Sequence, residues 1–316
     1  MWFVLLATLF LHGSSVDEYY ASAIPLRRLI EEADVIAIVE GAKSIRVIDE
    51  ENDYERRLMD DEYQLKVVKI LIGAAAKELT VRTSASIICP APASFEEGKR
   101  HLVFLADSGK SYLKSYGSFY GSKQLQPEAM KVYVKAVQRK IEIEKIEKNE
   151  EQYVQTQEWL VQLCEDPITR WEGAYDLDHI DIRKWTRQDL IWKYFMECLS
   201  EEQIERLIVV LVETKKYDSA EWTLFYGLRK FDDPRLLEIA LEMTLANFEN
   251  QYQLTPRLQE ALRRSKCYKA RHMFEEHWVC GVKEEDWWLF LSSGKEEKAV
   301  VKEIVAAIRE EMENGK

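Results

Sequence analysis

Tyr63-Gln64-Leu65-Lys66-Val67-Val68-Lys69-Ile70-Leu71-Ile72-Gly73 alternates polar and apolar residues, turns wholly apolar, and stops at a glycine. A period of two is the mark of a pleated strand with one face on a core, and a glycine after it marks the turn. Working outward, Glu78 to Cys89 places Leu79, Val81 and Ile87 on one face. His101-Leu102-Val103-Phe104-Leu105 is entered through Glu97-Gly98-Lys99 and left through Asp107-Ser108-Gly109-Lys110. Tyr112 to Phe119 supplies a fourth run, so four β-type runs and their turns fit between Tyr63 and Phe119.

Upstream, Pro25 to Glu32 reads as a short amphipathic helix with Leu26, Leu29 and Ile30 on one side, leading into a first strand, Ala33 to Gly41. The stretch Asp49 to Glu62 clusters carboxylates, but it lacks the ligand spacing and turn glycine of an EF-hand, so it reads as a solvated hairpin loop.

The order of these blocks (helix, Ala33–Gly41, Tyr63–Gly73, Leu79–Thr83, Cys89, Phe95–Leu105) resembles the TIMP/netrin-like OB-fold modules of exported bacterial proteins over about residues 22–125. That resemblance implies a five-stranded barrel able to fold by itself. Metalloprotease-inhibiting relatives reach a catalytic zinc with an N-terminal cysteine. Here the expected mature start is Val16-Asp17-Glu18-Tyr19-Tyr20, which offers none. Relatives also pair a cysteine at the position of Cys89 with one near the last strands; this chain has Tyr116-Gly117-Ser118 there, so Cys89 is expected unpaired within the barrel.

From Pro127 the period changes to 3.6 and stays helical. Residues 127–150 read as one connector helix with Met130, Val134 and Val137 on a face. Helices are then expected near 151–164, 167–178, 186–198, 200–214, 216–230 and 234–249, with shorter ones beyond. Ser200 with Gln203, and Asp233-Pro234, are helix starts, because a side-chain acceptor caps free N–H groups and proline at the first turn lacks one. Helices of this length joined by short breaks suggest stacked hairpins of the HEAT type, and Asp166 to Leu177 resembles one such hairpin helix. The expected architecture is therefore α+β in two domains: signal peptide 1–15, OB-fold-like five-stranded barrel 22–125, connector helix 127–150, and an all-α HEAT-like domain 151–316.

The net charge of −12 argues against a nucleic-acid partner, which needs a basic face. Residues 26–126 hold 15 Lys+Arg against 16 Asp+Glu, and 1–25 add only Asp17 and Glu18, so residues 127–316 carry a net −9. Of the five cysteines, none lies in a Cys-x-x-Cys pair; Cys164 and Cys198 fall in apolar helical contexts and read as small core residues. His272 and His277 are five apart, whereas two ligands on one helical face need four. Gly109-Lys110-Ser111 lacks the earlier glycine of a phosphate loop. Ser118 and Ser122 sit in Gly-Ser turns without a nucleophile elbow, and no histidine can be assigned to either as base. No cofactor or metal set emerges.

Eight tryptophans lie in the helical half. Trp171 with Tyr175, and Trp222 with Phe225 and Tyr226, have spacings that bury one face. Trp287 and Trp288 are adjacent, so both cannot face inward from one helix; one is a candidate anchor for a protein partner, unless the helix Lys295–Glu311 covers it. The functional expectation is an exported, non-catalytic binding or scaffolding protein with a protein partner. The alternatives are a protease inhibitor acting through the barrel and an unrecognised hydrolase.

Met1 to Leu11 is apolar, too short to span a bilayer, and followed by His12-Gly13-Ser14-Ser15, the pattern of an export signal although no Lys or Arg precedes the run. No other run reaches the ~18 apolar residues of a membrane span. The mature protein is expected to begin near Val16, in the periplasm or outside the cell. Intact-mass and N-terminal peptide analysis of the exported protein checks this, and soluble cytoplasmic protein retaining Met1 would refute it.

Overall fold

The computed structural model describes residues 24–48, 59–74, 76–84, 92–178, 198–214, 217–246, 251–278 and 295–314. The chain divides into two compact units, Met1–Lys193 and Tyr194–Lys316.

The first unit begins with helix α1 (Leu26–Glu32) and continues through strands β1 (Val35–Glu40), β2 (Ile45–Ile48), β3 (Met59–Ile72), β4 (Glu78–Ser84), β5 (Arg100–Asp107), β6 (Leu113–Ser115) and β7 (Ser122–Gln124). The pairing order is β1-β3-β4-β6-β5, and β5 returns to β1, closing five strands into a barrel. β4 and β6 run parallel and the other pairs antiparallel. Closure removes the open edges that a sheet of this size would otherwise expose. β2 extends the β3 pairing, and β7 adds to β5.

Of the residues that face the barrel interior, Ala37, Val39, Leu65, Val81, Val103 and Leu105 are fully buried, and Phe95 meets Tyr63 edge-on at 4.9 Å, while β1 and β5 are buried on both faces. Val81, Val103 and Phe104 are core residues, while Val67 and Ile70 are only half-buried. The register explains the difference. β4 leaves β3 at Lys66, so β3 residues beyond that point have β1 on one side only.

Two sequence expectations change here. Met59–Glu62, read as loop, belong to β3 and pair with β2, an unexpected strand, tied by the Arg46–Asp61 contact at 2.7 Å. The run Tyr112–Phe119 forms a strand only over Leu113–Ser115, because Gly117 takes a left-handed φ of +71° and the chain turns into a 3-10 helix, Ser118–Gly121.

Among the described residues, three further helices belong to this unit: α2 (Pro127–Ile143), α3 (Asn149–Glu165) and α4 (Arg170–Asp178). The single helix expected over 127–150 is thus two. Its apolar face, with Val137 and Ile143 fully buried, folds back on α3 so that the Trp159 indole donates to the Ala136 carbonyl at 3.0 Å. α3 and α4 approach so closely that a Cβ on Gly173 would lie 2.6 Å from the Leu160 carbonyl oxygen. Cys164 is fully buried between them, and burial pushes its thiol far above the usual range, so it packs as a small apolar group.

The described residues of the second unit form helices α5 (Glu201–Glu213), α6 (Ser219–Leu228), α7 (Arg235–Ala246), α8 (Gln251–Ser265), α9 (Tyr268–Trp278) and α10 (Lys295–Asn314). α5 packs on α6 and α7, α7 on α8, and α9 on α10, an arrangement of helical-repeat character. Ser200 and Gln203 cap α5 reciprocally, Asp218 and Glu221 cap α6, and the Asp233 carboxylate accepts from the Arg235 N–H at 2.8 Å. Leu207, Leu211, Leu224, Phe225, Leu236, Ala240 and Ile304 are fully buried. Cys198 is exposed rather than core, because it sits in a short turn ahead of the Ser200 cap, outside the apolar face.

Val103→Asp should abolish the cooperative thermal transition, since it places an unpaired carboxylate in the closed barrel. Gly173→Ala should cost about 1–3 kcal/mol, because backbone sits where the methyl must go. Circular dichroism melting of the full chain measures both.

Candidate functional site

Three places concentrate chemistry among the described residues, and all lie in the first unit. The first is a buried ionic cluster around α1. Pro25 provides no side chain to cap this helix; instead the Glu172 carboxylate of α4 accepts from the Leu26 N–H at 2.8 Å. The same carboxylate, 2% exposed, accepts from Lys123 Nζ of β7 at 2.7 Å and from the Tyr133 hydroxyl of α2 at 3.1 Å. One turn on, Asp176 holds the Arg27 guanidinium at 3.1 Å. Arg27 also reaches Glu31 at 2.8 Å, and the fully buried Lys140 donates to Glu31 at 2.9 Å and to Glu144. Tyr116 donates to Glu32.

The electrostatics follow from that packing. Burial pushes the Asp176 carboxyl up to about 6 despite Arg27. Burial alone would lower the Arg27 pKa, but Asp176 and Glu31 outweigh it and hold the guanidinium above its ordinary value. Burial, then Glu172, raises the Tyr133 phenol, and burial with Glu32 pushes Tyr116 up to about 12. Perturbed carboxylates are what catalytic sites contain, but ion-pair networks perturb them too. Here each carboxylate is engaged by cations or donors that join α1, α2, α4 and β7, which makes the cluster a clamp.

The second place is His101 on β5. Its Nδ1 lies 3.2 Å from Ser122 Oγ, so the fold brings a histidine to a serine for which the sequence suggested no base. They meet because β5 and β7 pair antiparallel, a relation set by a long-range ladder. Ser122 Oγ also donates to the Ser94 carbonyl at 3.3 Å. The ring is 1% exposed, packs edge-on against Phe95 at 5.7 Å, and leaves Nε2 buried without a hydrogen-bond partner. A base that served Ser122 would need an acceptor to orient its far nitrogen, and among the described residues no side chain or backbone group accepts from Nε2.

The third is a groove of about 570 Å³ at the end of the β3–β4 hairpin, lined by Lys66, Val67, Val68, Lys69, Ile70, Ala76, Lys77 and Glu78. Val68 is 46% exposed there. Val67 and Ile70 line it half-buried and pack on their other side against the barrel core. The signal for the groove was the break of alternation at Val67-Val68, where a two-sided apolar strand outruns its β4 partner.

Trp287 and Trp288 lie outside the described residues, as do Cys89, Cys280 and the carboxylate-rich stretch 49–58. Trp171 and Tyr175 pack at 5.1 Å, and Trp222 stacks on Phe225 at 5.6 Å, with the buried Arg257 5.0 Å over the Trp222 ring. His272, on α9, stacks on the exposed Tyr268. Searches against protein-family models and against curated proteins find no match for this chain.

The pH response separates the first two places. Burial lowers the His101 pKa from 6.5, against a smaller opposing effect of Glu96, so the folded ring is neutral. As pH falls through 6.5 the unfolded chain takes up a proton that the fold refuses, so the stability His101 provides at neutral pH is lost on acidification. Asp176 acts oppositely: the fold keeps a proton that the unfolded chain has released, so stability falls as pH rises from about 4 to about 6. His101→Phe should therefore melt progressively higher relative to wild type between about pH 7 and 5. A parallel pair of melting curves across that range would show that His101 does not titrate with unfolding.

Proposed function

We propose that this chain is an exported, non-catalytic binding or scaffolding protein, related in kind to TIMP/netrin-like barrels, that engages a protein partner. The closed OB-fold-like barrel supports the resemblance on which this reading partly rests. The observation that carries it is where the polar groups are used. Glu172, Asp176 and Lys140 hold elements together internally, whereas the side chains offered to solvent at the β3 edge are apolar and lysine, suited to contact rather than bond-making. On the helical unit, Trp287 and Trp288 remain the candidate anchor. No helix among the described residues is long and apolar enough to cross a membrane.

The second reading, a hydrolase, has one observation in its favour, the 3.2 Å approach of His101 to Ser122. Two experiments separate the readings. A fluorophosphonate probe should leave Ser122 unlabelled by peptide mass spectrometry; stoichiometric labelling that His101→Phe abolishes would establish the hydrolase. Cross-linking of the chain starting at Val16 to proteins of the envelope or medium should return contacts confined to one surface. If that surface includes Trp287 or Trp288, alanine at the anchor should weaken capture by roughly 2 kcal/mol with melting unchanged, whereas alanine at a core tryptophan costs about 3–5 kcal/mol of stability.

A further inference from the structure

A strand inside a sheet has neighbours on both sides, and β3 does not have them along its whole length. β4 pairs with it from Asp60 to Lys66, and one further bond, from the Val67 N–H to the Lys77 carbonyl at 2.9 Å, ends that ladder. β1 pairs with it on the other side from Lys66 to Ile72. Among the described residues, β3 from Val68 to Ile72 therefore has a strand on one side only. The open side is the groove of about 570 Å³, with Val68 exposed and Val67 and Ile70 half-buried at its floor.

Exposed strand edges are normally covered or kept short, because unpaired N–H and C=O groups recruit further strands. This one is five residues long, about 17 Å at the usual rise, enough to take an added strand. Two register shifts in the β1–β3 ladder, at Ile36/Ala37 and Ile38/Val39, break the regular alternation of β3 here, so that Val67 and Ile70 pack against the barrel core while Val68 and Lys69 are exposed.

The charge around it selects the occupant. In a chain of net −12, Lys66, Lys69 and Lys77 converge on the groove. Glu40 approaches only Lys66, at 4.0 Å and in an exposed pair, and Glu78 is the one carboxylate of the lining. A second copy of the chain is disfavoured: two-fold antiparallel pairing at this edge would bring the lysine-bearing segments of the two copies face to face, and like charges opposite one another destabilise a ladder.

We infer that the Val68–Ile72 edge of β3 receives an extended acidic segment of a protein partner as an added strand. Main-chain hydrogen bonds supply the affinity, an apolar side chain of the segment covers Val68, and its carboxylates meet Lys69 and Lys77. This rests on the binding reading above and names its surface and the chemistry of its partner.

The test uses the full chain and three fluorescent peptides read by anisotropy: one alternating valine with glutamate, one alternating valine with lysine, and the glutamate peptide with alternate amides N-methylated. The glutamate peptide should bind, weakening with salt. The lysine peptide should not bind, and N-methylation, which removes ladder donors while keeping charge and shape, should weaken binding at least about tenfold. Lys69→Glu with Lys77→Glu, both on the surface, should also weaken it at least about tenfold with melting unchanged. Equal binding of the methylated peptide would overturn strand addition, and binding indifferent to the two lysines would overturn this site. If no peptide binds while cross-linking still captures a partner elsewhere on the chain, this inference fails and the wider binding reading stands; if neither experiment finds binding, both fail.

Discussion

The Glu172 carboxylate is the constraint on which the first unit depends. A carboxylate taken out of water costs several kcal/mol unless donors replace its hydration, and three donors converge on this one: the first amide of α1, the ammonium of Lys123 and the hydroxyl of Tyr133. Each belongs to a different element, so the condition that makes the charge tolerable also fixes α1, α2 and β7 relative to α4. Removing the carboxylate would leave the half-buried Lys123 ammonium facing no charge and a helix N-terminus without a cap. Breaking a buried pair in this way costs roughly 3–5 kcal/mol. Lys140, fully buried on α2, repeats the logic from the other end of α1 through Glu31 and Glu144.

Closure of the barrel and the open edge of β3 have one origin. β3 is fourteen residues long, twice the length of β4, because it serves β2 and β4 with its first half and β1 with its second. The β1–β5 ladder, six residues in uninterrupted register, then shuts the barrel. A strand long enough to bridge both parts of the sheet necessarily outruns one neighbour, and the place where it does so is where lysines and apolar side chains meet solvent.

Much of this was legible in the sequence, and the part that was not has a common cause. The alternation that opens Tyr63–Ile72, the apolar run His101–Leu105, and caps at Ser200 and Asp233 act through near neighbours, so a linear reading recovers the barrel and most helices. Glu172 and Asp176 stand one helical turn apart on a charged helix and look like a solvated face; only their partners 146 and 149 residues away in the chain make them internal. His101 and Ser122 meet for the same reason, through a ladder between distant strands. The break inside 127–150 was hidden because Ile143 continues the apolar face, and what ends α2 is the chance to bury that face against α3. Cys198 was misread because an apolar neighbourhood in sequence does not tell a helix face from the turn that precedes a cap.

The two units use charge differently, and their sensitivities should differ with it. In the helical unit Arg264 and Glu260 pair at 2.8 Å with side chains only 8% and 11% exposed, but other ion pairs lie at the surface: Arg235 joins Glu205 at 2.5 Å, with side chains 38% and 54% exposed, and Lys269 meets Glu310 at 3.5 Å with both more exposed still. Such pairs contribute about 0–1 kcal/mol and fade with salt, so that unit rests on its apolar core and caps. The barrel unit has exposed pairs too, such as Lys66–Glu40, but it also holds an interior cluster, where salt screens little and a lost partner leaves an unpaired charge. Charge substitutions at the exposed pairs therefore alter mainly the surface field, while the same change at Arg27, Lys140, Glu172 or Asp176 alters how the barrel is held. A surface that tolerates charge reversal next to an interior that does not is what lets the lysines at the β3 edge be changed without disturbing the fold beneath them.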